Sequence, residues 1–452
     1  MLSTTQVNPT TNAGYDQTDP EDILRHAKLL LGKSLRDVID SDRVRRRGKG
    51  GIGQDVEELF FGLVPNNRPM PDFQEAGLEL KTFPIKHLKD KRLVAKERVS
   101  LGMIDYGTMA TEEWAHSSFL KKNSFLLLLA YLYQKGITDY FDYIFNLAEL
   151  WRFSEEDLKI MKDDWLKIRE KVKAGKAHEI SEGDTLYLGA VTKSATGNSR
   201  TSQPFNRIPA KPRALCLKQQ YMNLVVDKIL GLRKLDVENA VKSVESYEKG
   251  ETFEEFIIRK FKPYFGMSLE KLGTMFAVGS SAKNFAATIT RRILGVRKNK
   301  IEEFEKAGIT TKTIRLDIHG NPEEAISFPR MHFKELALED WDDSTLREML
   351  AKRFFLVIYQ KQKNGTYKLA KVKFWSMPEE VLDDKVRKVW ESTKKSIVKG
   401  DFSKLVKSSD DMVSHVRPHG RNSKDKDILP NGKRETKRCF WLNRDFIRDS
   451  ML

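Results

Sequence analysis

Cysteine is nearly absent: Cys216 and Cys439 are the two among 452 residues. Two thiols make neither a disulfide framework nor a zinc cluster, and a reducing, cytoplasmic setting is expected. Long apolar runs are missing too. The longest, Phe125 to Tyr133, is too short to span a bilayer and reads as a buried strand or helix segment, so no membrane association is expected. The opening stretch, MLSTTQVNPTTNAGYDQTDP, has neither the basic n-region nor the apolar h-region of a signal peptide, and residues 1–20 read as a polar tail. Acids are in deficit. Against 80 Lys and Arg stand 64 Asp and Glu, a net charge of +16, and such a balance favours a polyanionic partner, usually nucleic acid. The deficit is uneven, because residues 231–452 hold 45 basic and 33 acidic residues and carry +12 of the excess.

What is present centres on PDFQEAGLELK, which reads as Asp72, six residues, Glu79, one residue, Lys81. Val64, Pro65, Asn66, Asn67 and Pro69 precede it as loop, Glu75-Ala76-Gly77 is a turn, and Leu78 to Phe83 alternates as a strand does. Period 2 puts Glu79 and Lys81 on one face and Leu78 and Leu80 toward the core. If the chain folds back, Asp72 meets Glu79. Two carboxylates at one point suit a hard divalent cation such as Mg²⁺, with Lys81 placed to orient a water. That is a nuclease site of the PD-(D/E)xK type. On spacing alone the pattern is common, and a half-buried strand with its charges in water fits it as well.

In chain order, Asp19-Pro20 opens a helix that Gly32 ends, and Ser34 with Asp37 forms a capping box for a second. Arg43 to Gly53, RVRRRGKGGIG, lacks the order of a nucleotide P-loop and reads as a DNA-phosphate contact. The helix Gln54 to Phe61 carries Glu57, locally indistinguishable from a surface glutamate. A basic run, Lys86 to Arg98, follows the central motif. Lys122 stands at the mouth of the apolar segment, where a snorkelling lysine is the ordinary reading. An amphipathic helix over Ser154 to Ala174 carries a core stripe of Leu158, Met161, Trp165 and Ile168. His178 to Lys193 reads as a strand feeding a polar loop, Ser194 to Gln203, that can reach base edges.

Taken together, KGGIGQDVEELFFG, PDFQEAGLELK, SSFLKKNSFLLLLAY, GKAHEISEG and RALCLKQQYM resemble the MutH type, and more closely its two-domain restriction-enzyme branch, the Sau-three-A type II endonucleases. The resemblance runs from residue 21 onward. It implies an α/β restriction-nuclease fold, duplex DNA cut at GATC, and a cognate methyltransferase protecting the same site. It places the family's metal-binding acids on Asp72 and Glu79, its catalytic lysine on Lys81, its helix glutamate on Glu57, and a further lysine on Lys122, with Lys121 as the competing register. The recognition-loop lysine falls on Lys193. Where mismatch-repair members carry a tyrosine before the final Leu-Lys, this chain has Cys216, a departure that bears on base or methylation sensing.

The second half repeats the first. Gly32-Lys33-Ser34-Leu35 recurs at Gly266 to Leu269, Ala76 to Thr82 at Ala307 to Thr313, Trp165 with Gly175 as Trp390 with Gly400, and Arg213 to Leu217 at Arg438 to Leu442. In this alignment Glu79 is matched by Thr310, Glu57 by Thr290, Asp72 by Glu303, Lys81 by Lys312 and Lys122 by Arg353. The expected architecture is two tandem MutH-like domains, each a mixed sheet flanked by helices: 21–230 catalytic, 231–250 a linker, and 251–452 a catalytically degenerate effector or clamp. Expected DNA contacts are Lys49, Lys193, Arg213 and Lys218 in the first domain and Lys312, Arg417, His419 and Arg438 in the second. The expected activity is Mg²⁺-dependent cleavage of double-stranded DNA with one or two GATC sites per complex. Its rivals are a repair nickase at hemimethylated GATC and a DNA-binding protein without catalysis.

Overall fold

The computed structural model describes residues 14–39, 51–64, 69–88, 90–193, 199–231, 236–280, 284–410, 413–420, 422 and 424–452. The chain forms two compact units, residues 1–180 with 184–235, and residues 236–452 with 181–183. Among the described residues no helix is long and apolar enough to cross a membrane.

The first unit contains strands β1 (Glu79–His87), β2 (Leu93–Ala95), β3 (Val99–Met103), β4 (Phe125–Leu132), β5 (Phe145–Arg152), β6 (Leu188–Thr192), β7 (Thr201–Gln203), β8 (Asn206–Ala210) and β9 (Arg213–Leu217). They make a mixed sheet of order β2-β1-β4-β5, an antiparallel sheet of order β3-β9-β6, and the hairpin β7-β8. Among the described strands of this unit only β1 and β4 run parallel, with Glu79 opposite Leu126 and Lys81 opposite Leu128. Both faces of β4 are covered, which is why its sequence is an unbroken apolar run rather than an alternation. The helix Pro20–Ala27 buries Ile23, Leu24 and Ala27, and Asp19 caps it by accepting from the Glu21 amide.

The helix Glu155–Lys173 starts after Ser154, whose hydroxyl accepts from the Asp157 amide. Its buried face is Ile160, Met161, Trp165, Ile168 and Val172, and the expected member Leu158 is only half-buried. Two acids share that face. Asp157 accepts from the Tyr221 hydroxyl at 2.7 Å, and Asp164 accepts from the amides of Leu186, Tyr187 and Leu188 at 2.7, 2.6 and 2.9 Å. Asp164 thereby fixes where β6 begins, since buried backbone donors must find an acceptor. Of the strand expected over His178 to Lys193, only Leu188–Thr192 is extended; short turns at Ala177–Glu179 and Glu182–Asp184 take up the rest.

The second unit contains β10 (Val237–Glu238), β11 (Lys300–Ile301), β12 (Thr310–Leu316), β13 (Ile326–Arg330), β14 (Phe354–Lys361), β15 (Tyr367–Trp375), β16 (Ser414–Pro418), β17 (Lys426–Ile428), β18 (Arg434–Thr436) and β19 (Arg438–Leu442). Its sheets are β12-β14-β15, with β12 and β14 parallel, and the antiparallel β13-β19-β16, beside the hairpin β17-β18. Apart from the short parallel pair β10-β11, which has no counterpart among the described strands of the first unit, this is the order and polarity of the first unit without β2. Smaller details recur as well. Gly32 donates to Phe145 while Phe145 donates to Lys33; Gly266 donates to Leu369 while Leu369 donates to Met267. Trp114 packs on Trp165 with centroids 5.8 Å apart at 61°, and Trp341 on Trp390 at 5.6 Å and 58°. Residues 236–250, expected as linker, pack within this unit: β10 pairs with β11, and Glu303 accepts from the amides of Ala240 and Val241 at 3.0 and 2.9 Å.

Candidate active site

Phe73 and Leu78 exchange backbone hydrogen bonds of 3.0 and 3.1 Å around Gly77, whose φ of 62° closes the turn. This fold-back sets Asp72 beside the start of β1. The Asp72 amide donates to Glu79 Oε2 at 3.1 Å, and the Leu80 amide donates to Asp72 Oδ2 at 3.0 Å. Each carboxylate is thus held by a backbone donor next to the other. Lys81 Nζ lies 2.5 Å from Glu79 Oε1, and Lys122 Nζ lies 3.4 Å from the same oxygen. Lys122 comes from the helix Ser118–Asn123, which leads into β4 and is delivered there by the parallel pairing. Of the two candidate lysines it is Lys122 that faces Glu79, while Lys121 is exposed.

Glu79 is only 1% exposed. Burial pushes its pKa up to about 7, and outweighs the Lys81 ammonium, which pulls the other way. Glu57 is half-buried and also pushed up to about 7, first by burial and then by the negative charge of Asp72. The helix carrying it is not the uninterrupted one expected over Gln54 to Phe61. It runs Ile52–Asp55 and then widens into a π-turn over Val56–Phe60. Asp55 is buried beneath it and accepts from the Tyr140 hydroxyl at 2.5 Å. At the far end Tyr15 and Gln17 donate to the Phe61 carbonyl at 2.8 and 3.3 Å. Asp55 is a support that sequence reasoning missed, because an Asp two residues before a Glu on a charged helix looks like surface.

Among the described residues no group of three or more His, Cys, Asp or Glu side chains could enclose a metal ion. Two acids with lysines beside them instead suit a hard divalent cation that keeps several waters and takes its remaining ligands from a substrate phosphate. The donor set therefore fits such an ion.

Other expected contacts fare differently. Lys49 lies outside the described residues. Lys193 is exposed at the end of β6, its ammonium 3.4 Å from Ser100 Oγ. Arg213 is a correction: it is 9% exposed and donates to the Ala190 carbonyl at 2.6 Å, so it braces β6 from within. Lys218 is another, its ammonium bonded to the Thr185 carbonyl and close to buried Asp164. Cys216 is fully buried between β3 and β6 and presents nothing to a groove.

In the second unit Thr310 opens β12 as Glu79 opens β1, and Gly308 (φ 67°) matches Gly77. Thr290 is buried and bonds the Ala286 carbonyl at 3.0 Å. Lys312 is desolvated, which lowers its pKa, and its ammonium lies 5.2 Å from the Phe328 ring. The pairing of Lys122 with Arg353 is corrected by register. Thr310 lies opposite Phe354 where Glu79 lies opposite Leu126, so Arg353 occupies the place of Phe125, and it is engaged by Glu254. Arg417 is exposed on β16 with its guanidinium 3.6 Å from the Trp441 ring centre; His419 sits edge-on to the same ring at 5.4 Å, and Arg438 reaches Glu435 at 3.4 Å.

A family model described as the DNA mismatch repair enzyme MutH matches residues 61–164, a span holding Asp72, Glu79, Lys81 and Lys122. The type II restriction enzyme Sau3AI of Staphylococcus aureus is 33% identical over 93% of this chain and 96% of its own length. DNA mismatch repair proteins MutH of Shewanella woodyi and Actinobacillus pleuropneumoniae are 26% and 27% identical, covering 47% and 46% of this chain but 93% and 94% of theirs. With a relative matched from end to end and a nuclease-type acid pair in the matched segment, the chain belongs to the MutH/Sau3AI family.

Proposed function

We propose that this chain is a Mg²⁺-dependent type II restriction endonuclease that cuts both strands of duplex DNA at GATC. The observation that supports it most is the convergence of Asp72, Lys81 and Lys122 on Glu79, within a chain similar over 93% of its length to a type II restriction enzyme. Asp72 and Glu79 would hold the metal. When bound there, Mg²⁺ supplies Lewis acidity toward a phosphodiester and makes a bound water more acidic. The protein's part is positional. The two backbone amides keep the carboxylates oriented, the Lys81 ammonium directs the attacking water, Lys122 adds positive charge where the phosphorane builds up negative charge, and Glu57 assists from its helix. GATC specificity follows from the family resemblance, with Lys193 at the base of the reading loop.

The second unit reads as a degenerate copy that binds DNA without cutting. Thr310 and Thr290 stand where acids are needed, and the carboxylate of Glu303 is committed to Ala240 and Val241. Arg417 laid on Trp441 is a preorganised guanidinium for phosphate or guanine. A repair nickase fits less well, because the MutH relatives match less than half of the chain. Incubating the protein with unmethylated GATC plasmid and Mg²⁺, then sequencing the ends, decides the matter. Linear fragments ending at GATC are expected; nicked circles alone, or a gel shift without cleavage, would overturn the reading.

A further inference from the structure

The hairpin β7-β8 turns at Phe205, which has a φ of 64° and is 74% exposed. A bulky residue in the left-handed region is a costly choice for a turn, and an aromatic ring left in water adds to that cost. The second unit supplies a control. Its hairpin β17-β18 turns through Asn431-Gly432, with glycine (φ 82°) taking the positive angle. Both hairpins abut the glycine that ends the long helix of their unit. A Cβ on Gly175 would stand 2.8 Å from the Phe205 carbonyl oxygen, and one on Gly400 2.5 Å from Asn431 Nδ2. The turn can therefore be made with glycine, and the phenyl ring is not there for the backbone.

Nor is the tip loose. Gln203 is buried; its Oε1 accepts from the Ala177 amide at 2.7 Å and its Nε2 donates to the Ile208 carbonyl at 2.5 Å. Asn206 Nδ2 donates to the Gly175 carbonyl at 2.8 Å. Ile208, on the strand leaving the turn, is 52% exposed, and Arg207 between them is exposed as well. The rigid mount carries an apolar prow.

The surrounding sequence says what the prow meets. Between Asp184 and Asp227 there is no Asp or Glu, while Lys193, Arg200, Arg207, Lys211, Arg213 and Lys218 all fall in this stretch. Arg213 and Lys218 are used internally; the other four are on or beside the reading loop and the hairpin. Glu179, on the turn that Gln203 bonds to, lies 3.7 Å from Lys176 and is the acid on the element beneath the hairpin. The hairpin's own stretch, with exposed cations and no acid beside a fixed apolar ring, is complementary to a polyanion with a stacked apolar interior.

We propose that Phe205 is a DNA wedge, pressed by the β7-β8 hairpin against a groove of the duplex, where it loosens one base step. This rests on the nuclease reading above. The test uses the full chain, with Phe205→Ala and Phe205→Gly, and duplexes carrying 2-aminopurine at each step flanking GATC. Wild type should brighten one of these probes on binding. Both variants should lose that signal and about tenfold in affinity with an unchanged salt slope, since no phosphate contact is removed. Phe205→Gly relieves the positive φ, so its melting temperature should equal or exceed that of wild type, which separates a lost contact from a lost fold. Variants that bind, cut and brighten the probes as wild type does would overturn the wedge alone. A wild type that neither binds nor cuts GATC duplex would take the nuclease reading down with it.

Discussion

Asp72 and Glu79 are clamped to each other through the main chain: the amide of Asp72 serves the carboxylate of Glu79, while Asp72 itself is held by the amide next to Glu79. Their acid groups are oriented before any ligand arrives, so removing one should cost chemistry and little structure. Asp72→Ala, Glu79→Ala and Lys81→Ala should each abolish detectable cleavage. DNA affinity should stay within a few-fold of wild type and rise slightly for the two acids, since repulsion of phosphate is removed. Filter binding beside plasmid cleavage measures both, and wild-type rates in these variants would place the site elsewhere. Lys122→Ala and Glu57→Ala should slow cleavage without abolishing it.

A pH dependence follows from burial. The carboxyl of Glu79 titrates near 4.5 when unfolded and at about 7 in the metal-free fold. The folded state keeps a proton that the unfolded chain has lost, so stability falls as pH rises from about 4.5 to about 7 and stays lower above that. Glu79→Gln should remove roughly 1–3 kcal/mol of this pH-dependent loss. Denaturant melts in a chelator at pH 5 and pH 8 check it; equal losses in both proteins would refute the assignment.

Lys193→Ala should lower discrimination between GATC and near-cognate sites by roughly 1–3 kcal/mol if the ammonium reaches a base edge. A uniform loss over all sequences with a flatter salt slope would make it a phosphate contact.

Introducing acids into the second unit should not make it a nuclease. In a Lys81→Ala background, Thr290→Glu with Thr310→Glu should remain inactive, since Glu303 stays bonded to the amides of Ala240 and Val241. Cleavage by this variant would show that the second site is closer to competence than its hydrogen bonds suggest.

Arg417→Ala removes the guanidinium stacked on Trp441. Cleavage of one-site DNA should drop several-fold, and added GATC oligonucleotide should stimulate wild type more than the variant. Such stimulation requires that DNA bind the active arrangement more tightly than the inactive one. Equal stimulation of both would assign the effect to another surface.

Much of this was legible in the chain itself. The spacing from Asp72 to Lys81 with Gly77 between them encodes the fold-back, and the paired glycines and tryptophans encode the shared topology of the two units. Other residues misled for physical reasons. Arg213 and Lys218 look like DNA contacts because cations are normally exposed, but here carbonyls and an acid pull them inside. Asp157 and Asp164 sit on a core face that periodicity assigns to apolar residues, and the amides leading into β6 that Asp164 receives and the hydroxyl of Tyr221 explain them. Counting along the chain matches Arg353 with Lys122, but the stretch from Thr310 to its partner Phe354 is shorter than that from Glu79 to Leu126, and strand register, not residue type, reveals it.

The turn from Phe73 to Leu78 also separates what is local in the site from what is not. Asp72 and Glu79 are seven residues apart, and their mutual bonds close without help from distant sequence. Lys122 arrives only when β4 docks alongside β1, a long-range closure that local contacts cannot hasten. The acid pair is a local contact, and its meeting with Lys122 a long-range one. Loosening the β1-β4 pairing would therefore part Lys122 from Glu79 while leaving the two acids together.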